Sequence, residues 1–270
     1  MIIKEYCKNN INVEEACLTY TDRFTLKLPD EIFQVFISFC KLQGPKGSEI
    51  IRGHLHDNEQ IYFKTLKYER RINSYLIGRY VAKKAISALI GENNLKEIII
   101  QNGVFNQPVI VCRSNRNIQV SITHCDDFGA AIAFTDIFLM GIDIERADIK
   151  KQRTLESQLT EYEKRLASKV PHSYDCFLAI IWTIKESLSK VLKTGLTVPL
   201  SILEVKEVEV HNGYYTSLFS FFSQYRSISF IVEDYIVSLT YPKCAEIIID
   251  ILRMKVNLCN MLQQKCNMDS

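Results

Sequence analysis

Gly141-Ile142-Asp143-Ile144-Glu145 and, further along, Trp182-Thr183-Ile184-Lys185-Glu186-Ser187-Leu188-Ser189-Lys190 are the stretches on which the reading of this chain turns. Successive side chains of a strand alternate faces, so Asp143 and Glu145 share one face of the first stretch and Ile142 and Ile144 take the other. The second stretch has a helical period. Phe177, Ile181, Ile184, Leu188 and Val191 fall on one apolar face, which leaves Trp182, Glu186 and Lys190 on the opposite side. Glu186 is therefore free to meet the two strand carboxylates.

Each feature alone has an ordinary explanation. Asp143 and Glu145 suit a solvated strand face, and Glu186 with Lys190 makes a surface ion pair of about 0.3–0.5 kcal/mol. An aspartate within an apolar strand is nevertheless disfavoured. Three carboxylates brought together would supply the oxygen ligands a hard divalent cation prefers. His124 follows the strand-like run Ile118–Thr123 and, with the basic segment described next, suits a cationic lip for phosphates.

The surroundings of these stretches are those of a globular protein. The 270 residues, 47% hydrophobic and 24% charged, suffice for one large domain or two small ones. The net charge of +2 says little about partners, but its distribution says more. Between Gln60 and Ile90 stand Lys64, Lys67, Arg70, Arg71, Arg79, Lys83 and Lys84 against Glu69 alone, an anion-attracting surface. Nine cysteines without a Cys-x-x-Cys pair point to reduced thiols and a cytoplasmic location. No apolar run approaches a membrane span, and Met1–Leu18 does not read as a secretory signal.

In chain order, Cys17–Leu28 reads as strand, Asp30–Leu42 as an amphipathic helix, and Gly44–Gly47 as a loop. Residues 58–90 read as helix capped by Gly91, with Arg79 and Lys83 off its buried stripe. Lys96–Ile100, Pro108–Cys112 and Ile118–His124 read as strands, and Ala130–Phe134 with Ile137–Ile144 as a hairpin-like pair. Leu155–Lys169 and Ser173–Lys193 read as helices, the second closed by Gly195. A strand meander spans Leu203–Tyr241 and a last helix Glu246–Gln264. Aligning Gly78–Gly91 with Trp182–Gly195 hints at two related α+β halves.

The ordered set Gly141-Ile142-Asp143-Ile144-Glu145, then Trp182-Thr183-x-Lys185-Glu186-Ser187-x-x-Lys190, resembles the signature of 4'-phosphopantetheinyl transferases of the long, surfactin-synthetase-activating (Sfp) type. Ser121-Ile122-Thr123-His124 looks like that family's Ser-His segment, and Arg70 with Tyr75–Arg79 like its basic helix. One departure stands out: Asn106-Gln107-Pro108 replaces the family's usual Gly-Lys-Pro turn, so a lysine facing the nucleotide is missing.

The resemblance implies transfer of the phosphopantetheine arm of coenzyme A to a serine of an acyl or peptidyl carrier protein, with release of 3',5'-ADP. Asp143, Glu145 and Glu186 would hold Mg²⁺; Glu186 would be the base and Lys190 would neutralise the pyrophosphate. Coenzyme A would be gripped by Arg70, Arg79, Lys83, Asn106, Gln107, Pro108, Thr123, His124, Asp143, Lys185 and Lys190. Glu161, taken to stand in the family's Thr-Glu position, would help order the site. The expected fold is α+β, two similar halves related by a pseudo-twofold, each a helix packed on a small antiparallel sheet, with the active site at their junction. The boundaries expected are 1–139 for the nucleotide-gripping half, 140–245 for the metal-bearing half and 246–270 for a terminal helix and tail. The expected partners are coenzyme A and a carrier protein, in a monomer that engages neither nucleic acid nor membrane. The rival reading is a non-catalytic nucleotide or nucleic-acid binding module built on the basic helix, which would bind in a salt-sensitive way. A metal-dependent phosphodiesterase, with water as acceptor, is a third.

Overall fold

Period-two alternation sets the first sheet of the computed structural model, which describes residues 11–14, 17–104, 107–111 and 117–264. After β1 (Ile11–Glu14), strands β2 (Cys17–Lys27) and β3 (Ile32–Leu42) pair antiparallel along their whole length, from Cys17 opposite Leu42 to Lys27 opposite Ile32. The helix expected over residues 30–42 is thus a strand. Val35, Ile37 and Phe39, alternate residues without exposed surface, form one face of it. A ladder that long, with β-branched and aromatic side chains filling a pleated face, outweighs the start signal of Asp30 and Glu31. The loop expected at Gly44–Gly47 instead opens α1 (Gly44–Arg52), where Pro45 suits the first turn.

The helical span expected over residues 58–90 is two helices, α2 (Asp57–Phe63) and α3 (Glu69–Ile90), the latter closed by Gly91 at φ 74°. Then come β4 (Ile99–Asn102), β5 (Pro108–Val111), β6 (Ile118–Cys125), β7 (Phe128–Thr135) and β8 (Gly141–Arg146). β7 and β8 are not a hairpin: β7 pairs with β3 and β6, whereas β8 pairs with β12 (Tyr235–Pro242) of another sheet. Phe138 and Met140, buried between the sheets, carry the chain across. The helix expected over 155–169 is broken into α4 (Gln152–Glu156), α5 (Glu161–Arg165) and a 3₁₀ turn; α6 (Tyr174–Leu192) follows. The meander is β9 (Val205–Val210), β10 (Tyr215–Phe219), β11 (Tyr225–Val232) and β12. The last expected helix begins as β13 (Glu246–Ile248), and only α7 (Ile251–Gln263) is helical.

The fold is α+β. One antiparallel sheet runs β1-β2-β3-β7-β6 with β13 on β2, a second runs β8-β12-β11-β10-β9, and β4-β5 form a small ribbon. The two large sheets face each other across a core of β2, β3, β7, β8, β11, β12 and α7 side chains. α3 covers the outer face of the first and α6 the outer face of the second. Both helices lie unusually close to a strand: a Cβ on Gly141 would stand 2.0 Å from the Ser187 carbonyl oxygen, and one on Gly129 2.2 Å from Ile77 Cγ2.

The two sheets share a connectivity. In each, an entering strand (β3, β8) leads to a long helix (α3, α6) and then to strands of which the last (β7, β12) returns to pair with the entering one. Aligning Lys83 of α3 with Lys185 of α6 in sequence also aligns the two left-handed helix caps, Gly91 and Lys193. The alignment expected from Gly78–Gly91 and Trp182–Gly195 is therefore out of register, since Lys193 and not Gly195 caps α6.

Candidate active site

The site forms where the edge strands of the two sheets meet. β6 and β8 are joined by side chains and not by a ladder: Ile142 N donates to Ser121 Oγ (3.1 Å) and Ile144 N to Thr123 Oγ1 (3.1 Å). Alternation along β8 buries Ile142 and Ile144 between the sheets and turns Asp143 and Glu145 to the α6 side. On α6, Phe177, Ile181, Ile184, Leu188 and Val191 are buried, while Trp182, Glu186 and Lys190 keep part of their surface, as the periodicity predicts. A hydroxyl seam fixes the helix to its sheet, Thr183 to Ser238 at 2.7 Å and Ser187 to Thr240 at 2.6 Å.

Asp143, 4% exposed, is the hub. Its Oδ1 accepts from Lys190 Nζ (2.7 Å) and Thr123 Oγ1 (2.9 Å), and Lys190 Nζ also donates to the Ile142 carbonyl (2.9 Å). Its Oδ2 is buried without a hydrogen-bond partner among the described residues. Such an oxygen is costly unless something positive meets it. Burial raises the Asp143 pKa against the opposing pull of Lys190 and Thr123. Burial and then the Asp143 charge push Glu186 up to about 7. Glu145 is tied to Lys151 (2.9 Å). Among the described residues no group of three or more His, Cys, Asp or Glu stands gathered as a metal cage. Asp143, Glu145 and Glu186 are near enough for the charges of Asp143 and Glu145 to act on Glu186, but they are not gathered as the expected metal cage.

His124 opens on a cleft of about 670 Å³ lined also by Arg70, Ser74, Glu145 and Lys151. Desolvation, then the charges of Lys190 and Arg70, hold its pKa below the usual histidine value. Lys190 itself lines a second, more apolar pocket of about 210 Å³, reached by Gln107, Pro108, Ser121 and Phe134. Asn106 falls outside the described residues.

Four expected site residues stand elsewhere. Lys83, fully buried, pairs with Glu59 (2.6 Å) and donates to the His54 and Leu95 carbonyls. Lys185, also fully buried, pairs with Glu163 (2.8 Å) and donates to the Gln158 carbonyl. Neither ammonium can reach a phosphate in this arrangement. Arg79 is 8% exposed, lies 4.9 Å from the Tyr75 ring centre and donates to Asn102 Oδ1 (2.8 Å), in a separate pocket with Tyr62. Glu161 is exposed and pairs with Lys164; the buried acid nearby is Glu163. Helical spacing had marked Arg79 and Lys83 as surface residues, but α2 and β4 cover that side of α3. The sequence signal for Glu163 is the capping box Thr160-x-x-Glu163.

The geometry can bind a cation at Asp143 and an anion beside Lys190, His124 and Arg70, and can exchange a proton at Glu186. Residues 139–240 match the family model of the 4'-phosphopantetheinyl transferase superfamily. That stretch holds Asp143, Glu145, Glu186 and Lys190. No curated protein matches the chain. Among solved structures the chain is similar to a holo-(acyl-carrier-protein) synthase from Bacillus anthracis str. Ames in complex with CoA (3',5'-ADP). That similarity stands at 20% identity over 41% of this chain and 96% of the other, with a TM-score of 0.32. Among the described residues no helix is long and apolar enough to cross a membrane.

Proposed function

We propose that this chain is a 4'-phosphopantetheinyl transferase of the surfactin-synthetase-activating type. It would move the phosphopantetheine arm of coenzyme A to a serine of an acyl or peptidyl carrier protein and release 3',5'-ADP. The observation that carries the reading is the buried Asp143, whose Oδ1 pairs with Lys190 of α6 while its Oδ2 has no hydrogen-bond partner among the described residues, next to Glu186 and inside the stretch that matches the superfamily.

Asp143 and Glu186, joined by Glu145 once it leaves Lys151, would hold Mg²⁺. The ion, when bound, neutralises charge on the pyrophosphate oxygens. The chain's own residues do the rest. Glu186 takes the proton of the carrier serine hydroxyl, directly or through water. The serine oxygen bonds to the phosphorus next to pantetheine, and the bond from that phosphorus to 3',5'-ADP breaks. Lys190 stays beside the departing diphosphate. His124 and Arg70 meet the 3'-phosphate, His124 gaining the proton that its present surroundings disfavour. The base lies toward Gln107 and Pro108, where the apolar pocket opens.

An acidic carrier helix docks beside α6 on the connector 146–169, which bears Lys150, Lys151, Arg153, Lys164 and Lys169. The protein acts as a cytoplasmic monomer in this reading. The binding-module alternative loses ground because Arg79 and Lys83 are turned inward to Glu59, which leaves α3 a smaller cationic face.

Incubation with coenzyme A, Mg²⁺ and a panel of apo carrier proteins is expected to add one phosphopantetheine arm by intact mass. No mass gain on any carrier, under conditions where a known transferase works, would sink the reading. Asp143→Ala is expected to lower transfer by at least about 100-fold with the fold retained. Unchanged turnover would remove Asp143 from the mechanism.

A further inference from the structure

We propose that the buried Glu163–Lys185 pair is a positioning device that sets the roll of α6 and thereby aims Glu186 and Lys190 at β8. The proposal rests on the transferase reading only for its kinetic test. Glu163 Oε2 accepts from Lys185 Nζ (2.8 Å) and from Thr160 N (2.8 Å), while Oε1 accepts from Val205 N (2.9 Å). One carboxylate thus ties α6 to the first turn of α5 and to the start of β9. Lys185 immediately precedes Glu186, and its Nζ also holds the Gln158 carbonyl. The hydroxyl seam to Ser238 and Thr240 sets the height of α6 over its sheet. The ion pair anchors one flank of the helix, and Lys190 on Asp143 and the Ile142 carbonyl anchors the other.

Stability alone is a poor reason for such a pair, because apolar residues of similar volume often replace a buried ion pair at no cost. What the pair adds is direction: three donors on one carboxylate admit a single placement of the helix. The other half contains its twin. Glu59 Oε2 accepts from Lys83 Nζ (2.6 Å) and His56 N (3.0 Å), and its Oε1 from Ile100 N (3.0 Å) at the start of β4. Both acids stand third in a capped short helix, and both lysines stand on the long helix that follows. With the lysines aligned in sequence, Lys84 stands where α6 has Glu186, and Lys84 Nζ lies 5.4 Å from the Tyr80 ring centre. The twin has the same mechanics with no acid to aim; its helix also carries Arg70, so its loss is expected to raise KM for coenzyme A, and kcat is the quantity that separates the two pairs.

The test compares Glu163→Gln with Lys185→Met against Glu59→Gln with Lys83→Met in the full chain. It reads melting temperature, kcat and KM for coenzyme A, and acrylamide quenching of Trp182, the single tryptophan. The first pair of changes is expected to lower kcat by about 10–100-fold with KM within about threefold, and to increase quenching of Trp182. The second pair is expected to leave kcat within about twofold and Trp182 unchanged, at a similar loss of melting temperature. Equal effects of both pairs on kcat, or an unmoved Trp182 and kcat in the first, would overturn the proposal. Should the double variants not fold, Glu163→Asp keeps both charges and withdraws the carboxylate by one methylene. It is expected to lower kcat several-fold at constant KM, and an unchanged kcat overturns the proposal equally. Wild-type protein that transfers nothing, while Trp182 responds only to the α5–α6 variants, would defeat the transferase reading and leave the positioning role standing.

Discussion

At the scale of the residue, one carboxylate explains the electrostatics of the junction. Asp143 is sealed with one oxygen satisfied by Lys190 and Thr123 and the other without a partner among the described residues, and its charge helps to lift Glu186 to about 7. A carboxyl whose folded pKa lies above its ordinary 4.5 binds its proton more tightly in the folded state. Its contribution is fully present below pH 4.5 and disappears as pH rises through 7. The protein without metal is therefore expected to lose up to about 3 kcal/mol of stability from this group between those limits. Glu186→Gln removes the titration. It is expected to gain about 1–3 kcal/mol over wild type at pH 8 and to match it near pH 5, in urea melts at the two pH values. Equal stability of the two proteins at pH 8 would contradict the assignment.

At the scale of the element, α6 ends on a residue that pays a conformational penalty. Lys193 caps it at φ 56°, where its counterpart on α3 is Gly91 at φ 74°. A side chain in the left-handed region is costly, and the Lys193 hydrogen bond to Gln119 is exposed. Lys193→Gly is expected to stabilise the protein by about 0.5–1 kcal/mol, and Gly91→Ala to destabilise it by a similar amount, both read from denaturant midpoints. A loss of stability in Lys193→Gly would show that the Gln119 contact matters more than backbone strain. The elements also show where periodicity misleads. Residues 32–42 carry apolar side chains on both faces of a strand, so a helical stripe and a two-sided strand fit the same letters until β2 and β7 supply the ladders. The boundaries of α6 were legible because one face is uniformly apolar and the other is not.

At the scale of the whole molecule, Ser121 and Thr123 tie the two sheets together at their junction by accepting from the Ile142 and Ile144 amides. Thr123→Val leaves the Ile144 amide and Asp143 Oδ1 each short of a partner. It is expected to cost about 1–3 kcal/mol and to lower transfer together with stability, measured by denaturant melts and the mass assay. No change in either would mean that the junction is held by the apolar core alone.

The letters by themselves determined that Asp143 and Glu145 share a face and that Glu186 and Lys190 line the polar side of α6. They also determined that the chain mixes helices with antiparallel strands, because these are matters of local period and each is set by neighbours in sequence. Only the tertiary structure decided that Asp143 meets Lys190, that Lys83 and Lys185 are sealed in twin ion pairs, and that Arg79 faces a pocket of its own. A cation's role depends on which distant carboxylate reaches it first, and although the capping boxes mark Glu59 and Glu163 as helix starts, only the packing of those short helices against α3 and α6 brings them to Lys83 and Lys185.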